Sequence, residues 1–116
     1  MPRRTVTEMR FSEVYPMLVQ KAERKGRARA EVDRAAAWLT GWSEAQIEAA
    51  LASDVTYGDF FSRAPAWNPN AERITGKVCG VQVEAVEDPL MRRIRQFDKL
   101  VDELAKGRAM EKVLRK

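Results

Sequence analysis

Residues 88–104 read DPLMRRIRQFDKLVDEL, and this stretch decides the fold class of the chain. Asp88 is a good helix N-cap, and Pro89 suits the first helical position because its missing N–H has no intrahelical partner to lose there. Apolar side chains then recur at steps of four, three, four and three residues, at Leu90, Ile94, Phe97, Val101 and Leu104. This spacing predicts a long amphipathic helix that ends or bends near Gly107, where the apolar phase changes.

Upstream of this stretch, the first helix is predicted to begin at Ser12, a good N-cap residue. Pro16 is expected in its first turn, where a missing N–H costs nothing. The helix should end at Gly26 after several cations that offset the negative end of its dipole. Residues 1–10 show no clear period, and we interpret them as an N-terminal arm or a short edge strand.

Three further helices follow from spacing and caps. Residues 29–40 carry an apolar stripe at helical spacing, and Ser43 with Gln46 forms a capping box for a helix near 44–52. Thr56 is placed to cap a short fourth helix, because an aromatic run follows it.

Residues 77–86 alone have the character of a β element. Their valines are β-branched and Gly80 interrupts them, which indicates two short strands or one bulged strand. A lone hairpin is marginal in water, so it should lie against helices or pair with residues 4–10. We therefore predict one mainly α domain over 1–116, an orthogonal bundle of about five helices with a short hairpin or extended segment and a separate C-terminal helix at 108–116.

Composition limits the function. The chain has 116 residues, a formal net charge of +4 and no histidine, so the commonest general base and metal ligand is missing. A lone cysteine, Cys79, excludes an intramolecular disulfide framework and a multi-thiolate zinc site. No run of about 18 apolar residues occurs, so we expect a cytoplasmic protein without a membrane partner. We also expect no metal, because histidine and paired thiolates are missing, and no cofactor.

Basic residues cluster in the last turns of the first predicted helix and just beyond it, which suggests binding to the phosphates of a nucleic acid. The candidates are Lys21, Arg24, Lys25, Arg27 and Arg29, continued by Arg3, Arg4 and Arg10. Such a patch binds phosphate without reading bases, but complementation of the helix dipole and solubility explain the same residues, and we favour that interpretation. The 29–52 helix pair outlines a helix-turn-helix, yet its second helix begins with anionic residues that a phosphate-lined groove would repel.

Aromatic residues form a large set for so short a chain: Trp38, Trp42, Trp67, Tyr15, Tyr57, Phe60 and Phe61. We interpret them first as core material. The alternative is a ligand pocket, and the candidate ligand-binding residues for it are Trp67, Asn68, Asn70 and Tyr15.

Catalytic candidates are few. Cys79 lies before Gly80 in a segment that could place a thiol on a tight turn, but with no histidine its base would have to be a lysine or a carboxylate. Carboxylates cluster at two places, Glu84, Glu87 and Asp88, and then Asp98, Asp102 and Glu103. We interpret Asp88 as a cap and the later carboxylates as ordinary charge pairing on a helix, and so name no catalytic residue.

Several stretches resemble a family of small bacterial proteins of unknown function. They are Val14-Tyr15-Pro16, the run from Gln20 to Arg27, Trp38 to Gly41, Asn68 to Asn70, Ile74 to Gly76, Val78 to Val81, Glu87 to Met91, and the run from Asp98 to Arg115. The resemblance implies a mainly helical bundle with irregular connections, and it supplies no activity, substrate or cofactor. In this chain Ala28 stands where we expect a threonine at the N-cap of the second helix. Glu31 therefore remains as one half of a capping box whose hydroxyl partner is missing.

These observations favour a non-catalytic binding or protein-interaction module. Self-association is one route, through the Leu90–Leu104 stripe or the Met110–Leu114 tail, where surplus apolar surface would need a partner. Nucleic-acid binding through the basic ends is the alternative, and a small enzyme using Cys79 or the carboxylates comes third.

Overall fold

A computed structural model describes residues 6–78 and 80–114 of the chain. The α-helices are α1 Phe11–Glu23, α2 Arg29–Thr40, α3 Glu44–Leu51, α4 Tyr57–Ser62, α5 Pro89–Ala105 and α6 Met110–Val113. Short 3-10 helices lie at Val6–Glu8, Pro69–Arg73 and Val83–Ala85, and strands β1 Lys77–Val78 and β2 Val81–Gln82 form one antiparallel hairpin. The predicted fold class, mainly α with a short hairpin, is confirmed.

Helix α5 is the centre of the molecule, because α1, α2, α4, α6 and the hairpin all pack against it. Ile94, Phe97, Val101 and Leu104 are each at most 1% exposed, so the apolar stripe is used up inside the core. In the tail, Val113 and Leu114 are buried as well. Self-association stays a prediction, and within these segments the partly exposed apolar residues include Leu90 and Met110.

Local caps begin and end the helices where the residue pattern indicates. In α3, the Gln46 backbone N–H donates to Ser43 Oγ at 3.1 Å, and the Ser43 N–H donates to Gln46 Oε1 at 2.8 Å. In α5, Asp88 Oδ1 accepts from the Leu90 N–H at 3.0 Å. Gly107, at φ +87°, separates α5 from α6. All three features confirm their predictions.

The start of α1 differs from the prediction. The helix begins at Phe11 rather than after Ser12, and within the described chain the side chain of its N-cap residue, Arg10, makes no capping hydrogen bond. The reason is tertiary: Arg10 forms an antiparallel β-bridge with Thr56, in which the Phe11 N–H donates to the Val55 carbonyl at 2.9 Å, and this bridge holds Arg10 extended. Pro16 therefore lies inside α1 and not in its first turn.

The N-terminal arm also differs from the predicted edge strand. Residues 6–8 form a 3-10 helix against α4, and the arm bonds to residues 55–57 instead of pairing with the hairpin. The hairpin lies against α5 and buries Val78. Residues 1–5 and Cys79 lie outside the described residues. In the part of the chain described, no helix is long and apolar enough to cross a membrane.

Candidate functional site

A cleft of about 250 Å³ opens between the Pro69–Arg73 3-10 helix and the first turns of α5. We call it the Trp67 cleft. Its lining residues are Trp67, Glu72, Glu87, Pro89, Arg92, Arg93 and Gln96. Two arginines face two glutamates, so the charges in the cleft balance.

Asn68 sets the position of the Trp67 side of the cleft. Its backbone N–H donates to the Leu39 carbonyl at 2.9 Å, and its side-chain Nδ2 donates to the Trp38 carbonyl at 3.2 Å. Its Oδ1 accepts from the Asn70 N–H at 2.9 Å and so caps the 3-10 helix. Of the predicted ligand-binding residues, Trp67 lines the cleft. Asn68 instead connects the loop to the end of α2 by hydrogen bonds, and Asn70 provides the backbone N–H that Asn68 caps.

Arg93 forms one wall of the cleft together with Trp67. The guanidinium carbon lies 4.4 Å from the centre of the indole ring, which is cation-π geometry. Its Nη1 donates to the Phe61 carbonyl at 2.8 Å. Both contacts hold the arginine and the half-buried indole in a fixed relation, so this wall is rigid.

Gln96 and Arg92 each place in the cleft lining a buried polar atom that has no hydrogen-bond partner among the described residues. Gln96 is only 2% exposed; its Nε2 donates to the Ala71 carbonyl at 3.2 Å, but its buried Oε1 finds no hydrogen-bond partner among the described residues. Arg92 Nη2 lies 3.5 Å from Glu72 Oε2 and 3.4 Å from the Glu84 carbonyl. The buried Nε of Arg92 is likewise unpaired within residues 6–78 and 80–114.

Tyr15 lies away from this cleft. The rings of Phe97 and Phe61 stand between it and Trp67. Its hydroxyl donates to Asp33 Oδ1 at 2.5 Å at the edge of a separate hollow of about 300 Å³, which Arg29 also lines. Burial, reinforced by that hydrogen bond, raises the pKa of Tyr15 far above its ordinary value of 10.0, so the hydroxyl stays protonated and keeps its proton for Asp33.

The predicted phosphate-binding residues are largely engaged in ion pairs. Lys21 Nζ lies 3.3 Å from Asp102 Oδ1, Arg27 pairs with Glu31, and Arg29 pairs with Glu48 and with Asp33. Arg24 and Lys25 are exposed at the end of α1. A carboxylate beside each of three cations reduces the field that a phosphate would meet, and phosphate binding by this cluster remains an untested prediction.

The carboxylates of α5 also have partners. Asp88 caps the helix, Asp98 Oδ2 lies 3.2 Å from Arg95 Nη1, and Asp102 Oδ2 lies 3.0 Å from Lys106 Nζ. Glu103, 4% exposed, lies 3.7 Å from Arg108. The described residues contain no group of three histidine, cysteine, aspartate or glutamate side chains that could hold a metal ion.

A second hollow, of about 320 Å³, is lined by Trp42, Ala50, Val55, Phe60 and neighbouring residues. Its walls are mostly apolar. Two of its polar side chains are bonded elsewhere: Trp42 Nε1 donates to the Phe60 carbonyl at 3.0 Å, and the Gln46 Oε1 belongs to the α3 capping box. Asp59 and Arg63, 3.8 Å apart, also line the hollow, and their side chains are at least half exposed. Among the described residues, the lining of this hollow contains no buried polar side-chain atom without a partner, whereas the lining of the smaller Trp67 cleft contains two, and for that reason the Trp67 cleft is the better candidate.

Sequence reasoning missed Arg92, Arg93 and Gln96. They lie on the helix that decided the fold, beside the apolar stripe, where a polar residue is ordinarily a solvated one. The available signal was the glutamine between Ile94 and Phe97, which spacing alone does not distinguish from a surface residue.

Known proteins resemble this chain closely in sequence and fold but lend it no activity. The crystal structure of an uncharacterised protein, SP1917, shares 47% sequence identity and a TM-score of 0.92, over 97% of this chain and 93% of that one. No protein in the curated set matches. A family model described as an uncharacterised protein conserved in bacteria, DUF2200, matches residues 5–115. This chain therefore belongs to the DUF2200 family, which confirms the resemblance drawn from its residues.

Proposed function

We propose that the protein is a non-catalytic binding module and that the Trp67 cleft is its ligand site. The observation that carries the proposal is the buried Oε1 of Gln96, which has no hydrogen-bond partner within the described part of the chain and belongs to a residue that lines the cleft. Buried polar groups in folded proteins are nearly always hydrogen-bonded, and an exception calls for a water or a ligand. With a volume of about 250 Å³, the cleft suits a small molecule or a single side chain.

The lining of the cleft supports binding rather than catalysis. Its described residues include no hydroxyl, thiol, amine or imidazole side chain that could attack a substrate. Its two arginines stay protonated and cannot exchange protons at neutral pH. Glu72 is largely exposed and pairs with Arg92, so a binding role accounts for the residues present.

A screen of small fragments against the ¹⁵N-labelled protein tests this proposal. We expect the amide shifts caused by binding fragments to cluster at Trp67, Arg92, Arg93 and Gln96. Fragments that shift only residues around Trp42 and Phe60 would contradict the proposal, and so would a diverse set that shifts none of the cleft residues.

We also expect the protein to act in the cytoplasm. The lone Cys79 is in keeping with this, because it leaves no intramolecular disulfide to form in an oxidising compartment. Fractionation of bacterial cells followed by immunoblotting measures the location, and recovery of the protein from the extracellular or membrane fraction would overturn it.

A further inference from the structure

Two side chains that line the Trp67 cleft, from neighbouring positions of α5, each carry a buried polar atom with no hydrogen-bond partner among the described residues. Arg92 and Gln96 are four residues apart on α5, so their side chains leave the same face of the helix. Both line the cleft. The donor is Arg92 Nε–H and the acceptor is Gln96 Oε1, and both atoms are buried. A group that fits there has to supply the complementary acceptor and donor.

Two of the other polar atoms of these side chains already have partners. Gln96 Nε2 donates to the Ala71 carbonyl, which turns Oε1 away from that carbonyl. The outer χ angle of glutamine is soft, so Oε1 can still adjust toward a donor in the cleft. Arg92 Nη2 is directed to Glu72 and to the Glu84 carbonyl. On these two side chains, the buried atoms that lack a partner among the described residues are Arg92 Nε–H and Gln96 Oε1, and these are the atoms that a ligand would satisfy.

The charges of the cleft argue for an uncharged ligand. Arg92 is paired with Glu72, and Arg93 is held by Trp67 and the Phe61 carbonyl. Glu87 adds a second negative charge to the lining. An anion would gain little from a site whose charges already balance, and a carboxylate would present lone pairs to Gln96 Oε1 where a donor is needed.

We infer that the Trp67 cleft binds a small uncharged amide, either a primary amide or a lactam. Its N–H donates to Gln96 Oε1 and its carbonyl accepts from Arg92 Nε–H, while a planar substituent contacts the Trp67 indole. This inference deepens the proposed function and rests on it. It is chemically specific, because an ester of the same shape has no donor and a carboxylate has neither the donor nor the neutral charge.

The test uses three probes of one shape: benzamide, methyl benzoate and benzoate. Each is titrated into the full-length ¹⁵N-labelled protein while the side-chain signals of Gln96 Nε2 and Arg92 Nε–H are followed. We expect benzamide to shift both signals saturably, and the ester and the carboxylate to bind about tenfold more weakly, since a site built around hydrogen bonds rejects analogues that lack them.

Two variants separate the hydrogen bonds from the shape of the cleft. Gln96→Met keeps the length of the side chain but removes the acceptor, and Arg92→Met removes the donor. Each should weaken benzamide binding about tenfold. Gln96→Met should leave methyl benzoate binding unchanged, because the ester has no donor for Oε1, whereas Arg92→Met should weaken it, because the ester carbonyl also accepts from Nε–H. Gln20→Met, at an exposed position of α1, is the matched control and should change neither. Melting temperatures establish whether each variant is folded. If Gln96→Met does not fold, Arg92→Met alone provides the test.

The contrary outcomes are distinct. Benzoate binding more tightly than benzamide would overturn the amide assignment in favour of an anion site. Equal binding of all three probes would overturn it because the cleft would then recognise the ring alone. If benzamide fails while fragments of another class shift cleft residues, the amide assignment falls and the proposed function stands. If no fragment of any class shifts the cleft, both fall.

Discussion

At the residue scale, Asn68 joins the Trp67 cleft to the rest of the fold. Its side chain both caps the Pro69–Arg73 3-10 helix and donates to the Trp38 carbonyl at the end of α2. We expect Asn68→Ala to lower the free energy of unfolding by about 1–2 kcal/mol, because a cap and a hydrogen bond are lost together. Asn70→Ala is the matched control, since the Asn70 backbone makes the capping contact, and it should change stability by less than about 0.5 kcal/mol. Urea unfolding measures both, and equal losses would contradict this role for Asn68.

Two aspartates on α5, four residues apart, should titrate in opposite directions from the ordinary value of 3.8. Burial raises the pKa of Asp98, and the Arg95 guanidinium opposes that rise without cancelling it. Burial also acts on Asp102, but hydrogen bonds from Lys106 and Lys21 outweigh it and lower its pKa. A ¹³C NMR titration of the side-chain carboxyls measures both values, and two pKa values on the same side of 3.8 would contradict the expectation.

These shifts affect stability with opposite signs. The folded state holds the Asp98 proton more tightly than the unfolded chain does, so the contribution of Asp98 is full below pH 3.8 and is lost as pH rises through its folded pKa. The contribution of Asp102 is present above pH 3.8 and is lost as pH falls through its folded pKa. Asp102→Asn should therefore flatten the fall in stability between pH 3.8 and the folded pKa of Asp102, as urea unfolding at several pH values would reveal.

At the scale of elements, the turn that ends α2 requires glycine for two separate reasons. Gly41 has a φ of +83°, and a Cβ added there would lie 2.6 Å from Ala66 Cβ and 2.9 Å from the Ala66 backbone nitrogen. Gly26, after α1, has nearly the same φ, +84°, but open space around it. Alanine at Gly26 would meet only backbone strain, whereas alanine at Gly41 would meet both strain and a steric conflict. A comparison of the two variants therefore separates the two costs.

We expect Gly26→Ala to cost about 1–2 kcal/mol, the strain of a left-handed residue. Gly41→Ala should cost about 1–3 kcal/mol more, because the loop carrying Ala66 has to move. Chemical denaturation of the two variants measures the difference. Equal costs would indicate that the Ala66 loop yields freely, and the Trp67 cleft next to it would then be less rigid than its contacts indicate.

At the scale of the whole molecule, one aromatic cluster joins α1, α4 and α5. The Phe97 ring lies 5.9 Å from Tyr15, in a parallel stack, and 5.7 Å from Phe61. All three residues are at most 1% exposed. Phe97→Ala should lower the free energy of unfolding by about 3–5 kcal/mol, whereas Ile94→Val, one turn away, should cost about 0.5–1.5 kcal/mol.

Because these helices share one core, each variant should unfold in a single transition. For a given variant, tryptophan fluorescence and far-ultraviolet circular dichroism should therefore give the same midpoint. Separate midpoints would show that part of the bundle unfolds by itself, and that would contradict the single domain predicted from the chain length.

The sequence by itself determined the helices α2 to α5, together with the cap residues of α3, α4 and α5, because apolar spacing and capping act within about four residues of chain. The hairpin near 77–86 and the break at Gly107 are local in the same way. Only tertiary structure decided where α1 begins, because a β-bridge to residues 55–57 displaced the cap at Ser12. It also decided which of the predicted ligand residues face a cleft.

Trp67 lay within reach of sequence reasoning, since a tryptophan among turn residues stands out. Arg92 and Gln96 did not, because their burial depends on the Pro69–Arg73 segment folding over α5 from more than 15 residues away. An unpaired polar atom is a property of what surrounds it in space, and the pattern along a helix carries no record of that.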